Sequence, residues 1–251
     1  MLLSGMTSVT FRKHSIAEVV ALCKAARLNG IEWGGDIHVP PEKPEAANEA
    51  KKRCFDEGLK IYSYGSYYSP TKFSDFEGEF ERTAETCLRL GCSTVRIWAG
   101  EKWRHEATDA EYIKFVERMR KVGEIAKKYV LTVCFEHHQN TLSDGAAHTD
   151  RLLRDIGMEQ IKTYWQPICP RVEDNLNCLE LLRERIVNVH VYHWTGWDRH
   201  LLQEGRDNWR QYIAALAGES REIPCLLEFA LDDEERNFFA DAACLKELLG
   251  E

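Results

Sequence analysis

The 251-residue sequence has no apolar run long enough to cross a bilayer. Its opening, MLLSGMTSVTFRKH, has no positive segment ahead of an apolar stretch, so no secretory leader is expected. Basic residues are in deficit: 33 Lys and Arg face 41 Asp and Glu, a formal net charge of −8. That balance disfavours a nucleic-acid partner held through its phosphates. No CxxC pair occurs among Cys23, Cys54, Cys87, Cys92, Cys134, Cys169, Cys178, Cys225 and Cys244. An odd set of scattered thiols in a long chain argues against a disulfide framework, and a reducing, cytoplasmic setting is expected. Glycine-rich phosphate turns are missing too. Where a dinucleotide fold would need one, after the first β-rich run, the sequence reads Thr10-Phe11-Arg12-Lys13-His14. Linkers, low-complexity stretches and charge blocks are absent, so residues 1–251 are expected to form one domain.

What is present is an alternation. Short β-rich runs are expected at Thr7–Phe11, Gly30–Trp33, Lys60–Gly65, Thr94–Trp98, Leu131–Glu136, Lys162–Trp165, Val187–Tyr192 and Pro224–Phe229. Several are nearly all apolar, as parallel strands covered on both faces are. Amphipathic segments separate them, beginning with Ser15-Ile16-Ala17-Glu18 as a capped start and continuing near 44–57, 75–90, 108–128, 146–157, 173–184, 207–217 and 233–249. Strand and helix repeated eight times in a chain of this size predict a single (β/α)8 TIM barrel of the α/β class. Its chemistry is then expected where the strands end.

The strand ends carry the informative residues. The fifth run passes from Leu131-Thr132-Val133-Cys134-Phe135 into Glu136, and the eighth from Ile223-Pro224-Cys225-Leu226-Leu227 into Glu228. A carboxylate ending a buried apolar strand is costly unless paired. Strand alternation puts His190 and Tyr192 on one face of the seventh run, and the sixth run ends on Gln166. Glu136, Gln166, His190 and Glu228 on contiguous strands compose an oxygen-rich site with one nitrogen, suited to one divalent metal ion: Mn²⁺, Mg²⁺, Co²⁺ or Zn²⁺. The competing reading pairs a glutamate with Arg96 and leaves His190 as a core residue.

At these residues the chain resembles the xylose isomerase-like barrel superfamily, which spans sugar-phosphate isomerases, ketose epimerases, inosose dehydratases and endonuclease IV. Glu136-His137-His138-Gln139-Asn140-Thr141-Leu142-Ser143-Asp144 is similar to its E-x-H-x-x-T-L-x-D context, and His190-Val191-Tyr192-His193 to its H-V-x-x motif. The segment from Arg199 to Trp209 resembles R-x-P-L-G-E-G-x-x-D/N-W. Two departures stand out: Gln166 replaces the usual aspartate of W-D-P, and His193 replaces the aspartate of H-V-K-D. The resemblance implies a metal-dependent sugar isomerase or epimerase working through an enediolate, with Glu136 and Glu228 as ligands and proton carriers. A dehydratase on the same site uses the same chemistry.

Expected substrate contacts are Trp33 and His38 in the segment after the second strand, Tyr64, His138, His193 and Arg199, with Trp98, Trp103, Trp194 and Trp197 as rim aromatics. Arg96 is expected behind a ligand carboxylate. The expected partner is a small carbohydrate, with neither nucleic acid nor membrane, and a homodimer is left open. Two other readings compete. An endonuclease IV-like nuclease is favoured by Asp198-Arg199-His200 but lacks histidines after the third and sixth strands. A non-catalytic sugar-binding barrel is favoured by Gln166.

Overall fold

A computed structural model describes residues 1–251. Eight parallel strands close a barrel: β1 (Leu2–Thr7), β2 (Gly30–Gly34), β3 (Lys60–Gly65), β4 (Thr94–Ile97), β5 (Thr132–Phe135), β6 (Ile161–Trp165), β7 (Ile186–Val191) and, after a short antiparallel hairpin of β8 (His193–Thr195) and β9 (Asp198–His200), β10 (Ile223–Leu227). Neighbours in sequence are neighbours in the barrel, and β1 closes against β10 with Met6 opposite Leu227 and against β2 with Met6 opposite Ile31. Eight α-helices form the outer ring, and none is long and apolar enough to cross a membrane.

Local chemistry sets the helix limits. Ser15 and Glu18 form a reciprocal cap at α1 (Ile16–Ala25), and Thr108 and Glu111 do the same at α4 (Asp109–Tyr129). Pro44 opens α2 (Pro44–Glu57), which ends on Gly58 at φ 69°, a conformation that favours glycine. The remaining helices are α3 (Phe76–Leu90), α5 (Ala146–Ile156), α6 (Val172–Leu182), α7 (Arg206–Leu216) and α8 (Glu235–Leu249).

The first strand corrects the sequence expectation. Leu2–Thr7 is the strand, and Ser8–Phe11 is a 3₁₀ turn beyond its C-terminal end. Barrel closure between β2 and β10 selects Leu2–Thr7 despite its serine and glycine, because pairing partners outweigh local β-propensity. The hairpin β8–β9 was not anticipated either.

Candidate metal centre and active site

Each candidate ligand is held where a strand meets its loop. Glu136 follows β5 directly and its N–H donates to the Ile97 carbonyl at 3.2 Å; Glu228 follows β10 and its N–H donates to Val191 at 3.0 Å. His190 lies in β7 with no exposed surface, and Gln166 is the first residue past β6. The ligand atoms of Glu136, His190 and Glu228 lie within 4.8 Å of one another. His190 Nδ1 faces this group, 3.3 Å from Glu228 Oε2 and 3.7 Å from Glu136 Oε1. Gln166 donates its Nε2 to the His137 carbonyl at 2.9 Å, which turns its Oε1 to within 3.3 Å of the same Nδ1.

The charges fit a divalent cation. Glu32, Glu136 and Glu228 are buried carboxylates, and Arg96 is the one buried guanidinium among them, bonded to Glu136 and 3.3 Å from Glu32. With His190 neutral, three negative groups and one positive leave two net negative charges in a closed interior. Uncompensated buried charge is costly, and a proton on His190 or a bound cation offsets it. Burial opposes protonation of His190, but Glu228 and Glu32 outweigh it and lift the ring to about 10. Burial likewise favours neutral Glu32, and His190 and Arg96 override it and bring Glu32 down to about 2. Two carboxylates, one imidazole and an amide oxygen make a donor set of the kind that could hold a divalent ion.

Above these groups opens a cavity of about 240 Å³. Glu136, Gln166 and Glu228 with Arg96 form its floor, Arg12 and Tyr67 one wall, and Trp98, His138, Tyr192, Trp194 and Phe229 the rest. Arg12 is held by Asp36 at 2.9 Å and by the Tyr67 hydroxyl at 2.7 Å. Phe229 adopts φ 62°, a strained value for a bulky side chain, immediately after Glu228.

The family model for xylose isomerase-like TIM barrels matches residues 20–248. The chain belongs to that family. Among curated relatives, the 3-dehydroshikimate dehydratase of Bacillus anthracis is 25% identical over 170 residues, 63% of this chain and 59% of the relative. The inosose dehydratase of Halalkalibacterium halodurans is 26% identical over 192 residues, 70% of this chain and 60% of the relative. The matched segments thus span less than two thirds of either relative's length. The crystal structure of the probable 3-DHS dehydratase AsbF from Bacillus anthracis superposes with a TM-score of 0.83 at 20% identity, covering 98% of this chain and 99% of that one, a likeness of fold.

Within this xylose isomerase-like barrel the expected contacts divide. His138 lines the cavity with its ring against Trp98, centroids 4.8 Å apart. Trp33, Tyr64, His38, His193 and Arg199 do not line it. Glu32 points inward, so the pleat turns Trp33 outward into the apolar layer under the helices. Ser63 points inward, so Tyr64 also faces out, where its hydroxyl donates to Val39. His38 is buried with its Nε2 3.0 Å from the His14 carbonyl. His193 lies beside His200 at the base of the hairpin and borders a separate cavity. Arg199 pairs with Asp233 at 2.6 Å and covers the Phe229 ring, tying the hairpin to the loop after β10.

Glu32, Arg12 and Tyr67 escaped the sequence reading, as did the cavity positions of Tyr192 and Phe229. Counting in twos along β3 from Ser63 reaches Gly65 and then Tyr67, a signal that was available. Arg12 was hidden by the misplaced first strand.

Proposed function

We propose that this protein is a metal-dependent lyase that dehydrates a small polyhydroxylated ketone, most simply a cyclic one. The observation carrying this reading is the convergence of two buried carboxylates, Glu136 and Glu228, on the floor of a cavity of about 240 Å³, with the buried His190 beside them. The two dehydratase relatives supply the reaction class. A divalent ion held by Glu136, His190, Glu228 and the Gln166 oxygen would supply Lewis-acid stabilisation of negative charge on the substrate's carbonyl oxygen. Glu228 and Glu136 approach from strands on either side of β7 and are placed to move protons. One takes the hydrogen from the carbon beside the ketone; the other returns a proton to the departing hydroxyl. A C–H and a C–O bond break, a C=C bond forms, and water leaves. Trp98, Trp194 and Phe229 cover the reacting group and exclude bulk water.

The epimerase reading of the same site stands second, on the same pair of carboxylates: if both address one carbon, a proton leaves one face and returns to the other. Isomerase activity would need the same groups. A nuclease mechanism built on a metal cluster gains no support from a single group of three clustered donors. For a purely binding barrel, loss of the strand-six ligand was the argument, and the Gln166 oxygen still faces the group. All nine cysteines are unpaired, which suits the reducing cytosol.

The test incubates Mn²⁺- or Zn²⁺-loaded protein with 3-dehydroshikimate, inosose and a panel of ketoses. Ultraviolet absorption follows the new conjugated carbonyl, and NMR in D₂O follows exchange of the hydrogen beside the ketone. Dehydration abolished at least 100-fold by Glu136→Gln and by Glu228→Gln supports the lyase. Exchange with inversion and no dehydration favours the epimerase. Undiminished turnover in both variants rejects the site.

A further inference from the structure

Glu32 does not itself line the substrate cavity, although its partner Arg96 does. It is 1% exposed and sits near the barrel axis. Its Oε2 accepts the hydroxyls of Ser63 and Tyr164, both at 2.7 Å, and Asn188 donates to those two oxygens in turn at 3.0 and 2.9 Å. The carboxylate is therefore fixed from β2, β3, β6 and β7 together. Its Oε1 is left for two groups: Arg96 Nε at 3.3 Å and His190 Nε2 at 3.5 Å. Gly65 makes room for this arrangement, because a Cβ there would stand 2.8 Å from both Arg96 and Glu32 Oε1.

His190 Nε2 is buried without a hydrogen-bond partner at normal length, and Glu32 Oε1 is the acceptor nearest to it. If Nδ1 serves as ligand, the neutral ring must carry its proton on Nε2, and a buried N–H left unpaired is costly. A carboxylate behind a ligating histidine fixes its tautomer and makes it a better donor. Arg96 extends the same control to the next ligand, since it bonds Glu136 while packed against Glu32.

The geometry points to Glu32 as the positioning residue of the metal site, holding His190 in the tautomer that presents Nδ1 and, through Arg96, orienting Glu136. The inference rests on the metal-site reading above and adds a residue that makes no contact with ion or substrate.

Titration of Mn²⁺ and Zn²⁺ into the metal-free protein, with thermal melts of each variant, tests it. Glu32→Gln is expected to weaken metal binding about 10- to 100-fold. Ser63→Ala, which removes a hydrogen bond to the other carboxylate oxygen, is expected to lower the melting temperature but keep affinity within about threefold. If the two variants lose affinity alike and in step with stability, Glu32 is merely structural and the inference is overturned. Unchanged affinity in Glu32→Gln overturns it alone, whereas absence of metal binding by the unsubstituted protein sinks the site reading beneath it. Should Glu32→Gln not fold, ¹⁵N NMR of His190 in the zinc-loaded protein decides: a proton on Nε2 and metal on Nδ1 support the assignment, and the opposite tautomer rejects it.

Discussion

Replacing Gln166 by aspartate should move the stability of the metal-free and metal-loaded protein in opposite directions. Residue 166 is buried at the end of β6, with its amide oxygen 3.3 Å from His190 Nδ1. In the metal-free protein His190, lifted to about 10, carries a proton at neutral pH, so its interior neighbours leave one uncompensated negative charge. A further carboxylate makes two. Unit charges about 4 Å apart in a protein-like dielectric near 20 interact by roughly 4 kcal/mol, and proton uptake relieves part of that. A net loss of about 1–3 kcal/mol in EDTA is expected, a fall in melting temperature of roughly 2–10 °C for a chain this long. With Mn²⁺ or Zn²⁺ present the new charge faces a cation, and affinity should tighten at least tenfold, about 1.4 kcal/mol. Scanning fluorimetry in EDTA and in excess metal reads both effects, with competition titration for the affinity. If Gln166→Asp melts like the unsubstituted protein in EDTA and binds metal equally well, residue 166 is not beside the ion.

Three further outcomes follow from named environments. Saturating a metal site at 100 times its Kd should stabilise the protein by about 2.7 kcal/mol, and a chelator should reverse the shift; a melt indifferent to both contradicts the site. Trp33→Ala should cost about 3–5 kcal/mol, because that ring is fully buried, while metal affinity stays constant; a changed KM at unchanged stability would return Trp33 to the substrate. Burial raises Asp241 from 3.8 to about 6, so the folded protein holds this proton more tightly than the unfolded chain. The stabilisation is complete below about pH 4 and is lost as pH rises through about 6. Asp241→Asn should therefore be more stable by roughly 1–3 kcal/mol at pH 8 and equal at pH 4, and a pH-independent difference would contradict the assignment.

Much of this was legible in the residues because a parallel barrel writes its pattern locally. Short β-rich runs, several of them nearly all apolar, marked seven of the eight barrel strands, and caps such as Ser15 marked the helices. Glu136 and Glu228 stood out because a charge ending an apolar run demands an explanation. Side-chain direction was harder. Trp33 looked like a sugar platform, yet the pleat that aims Glu32 inward sends it to the opposite face. Tyr64 failed to reach the cavity for the same reason, and Tyr67 took that place. Glu32 itself lay inside Gly30-Ile31-Glu32-Trp33 and was passed over, because its partners Ser63, Arg96, Tyr164 and His190 come from four other strands. Arg199 matched a loop motif, but its pairing with Asp233 depends on a hairpin fold that short polar runs do not announce.

The most direct test of the central claim is anomalous diffraction from crystals grown with Mn²⁺ or Zn²⁺. One ion per chain is expected, within about 2.0–2.3 Å of Glu136, Glu228 and His190 Nδ1, with the Gln166 oxygen facing it. An ion bound elsewhere, or a site that stays empty at saturating metal while Arg96 alone neutralises the glutamates, would contradict it.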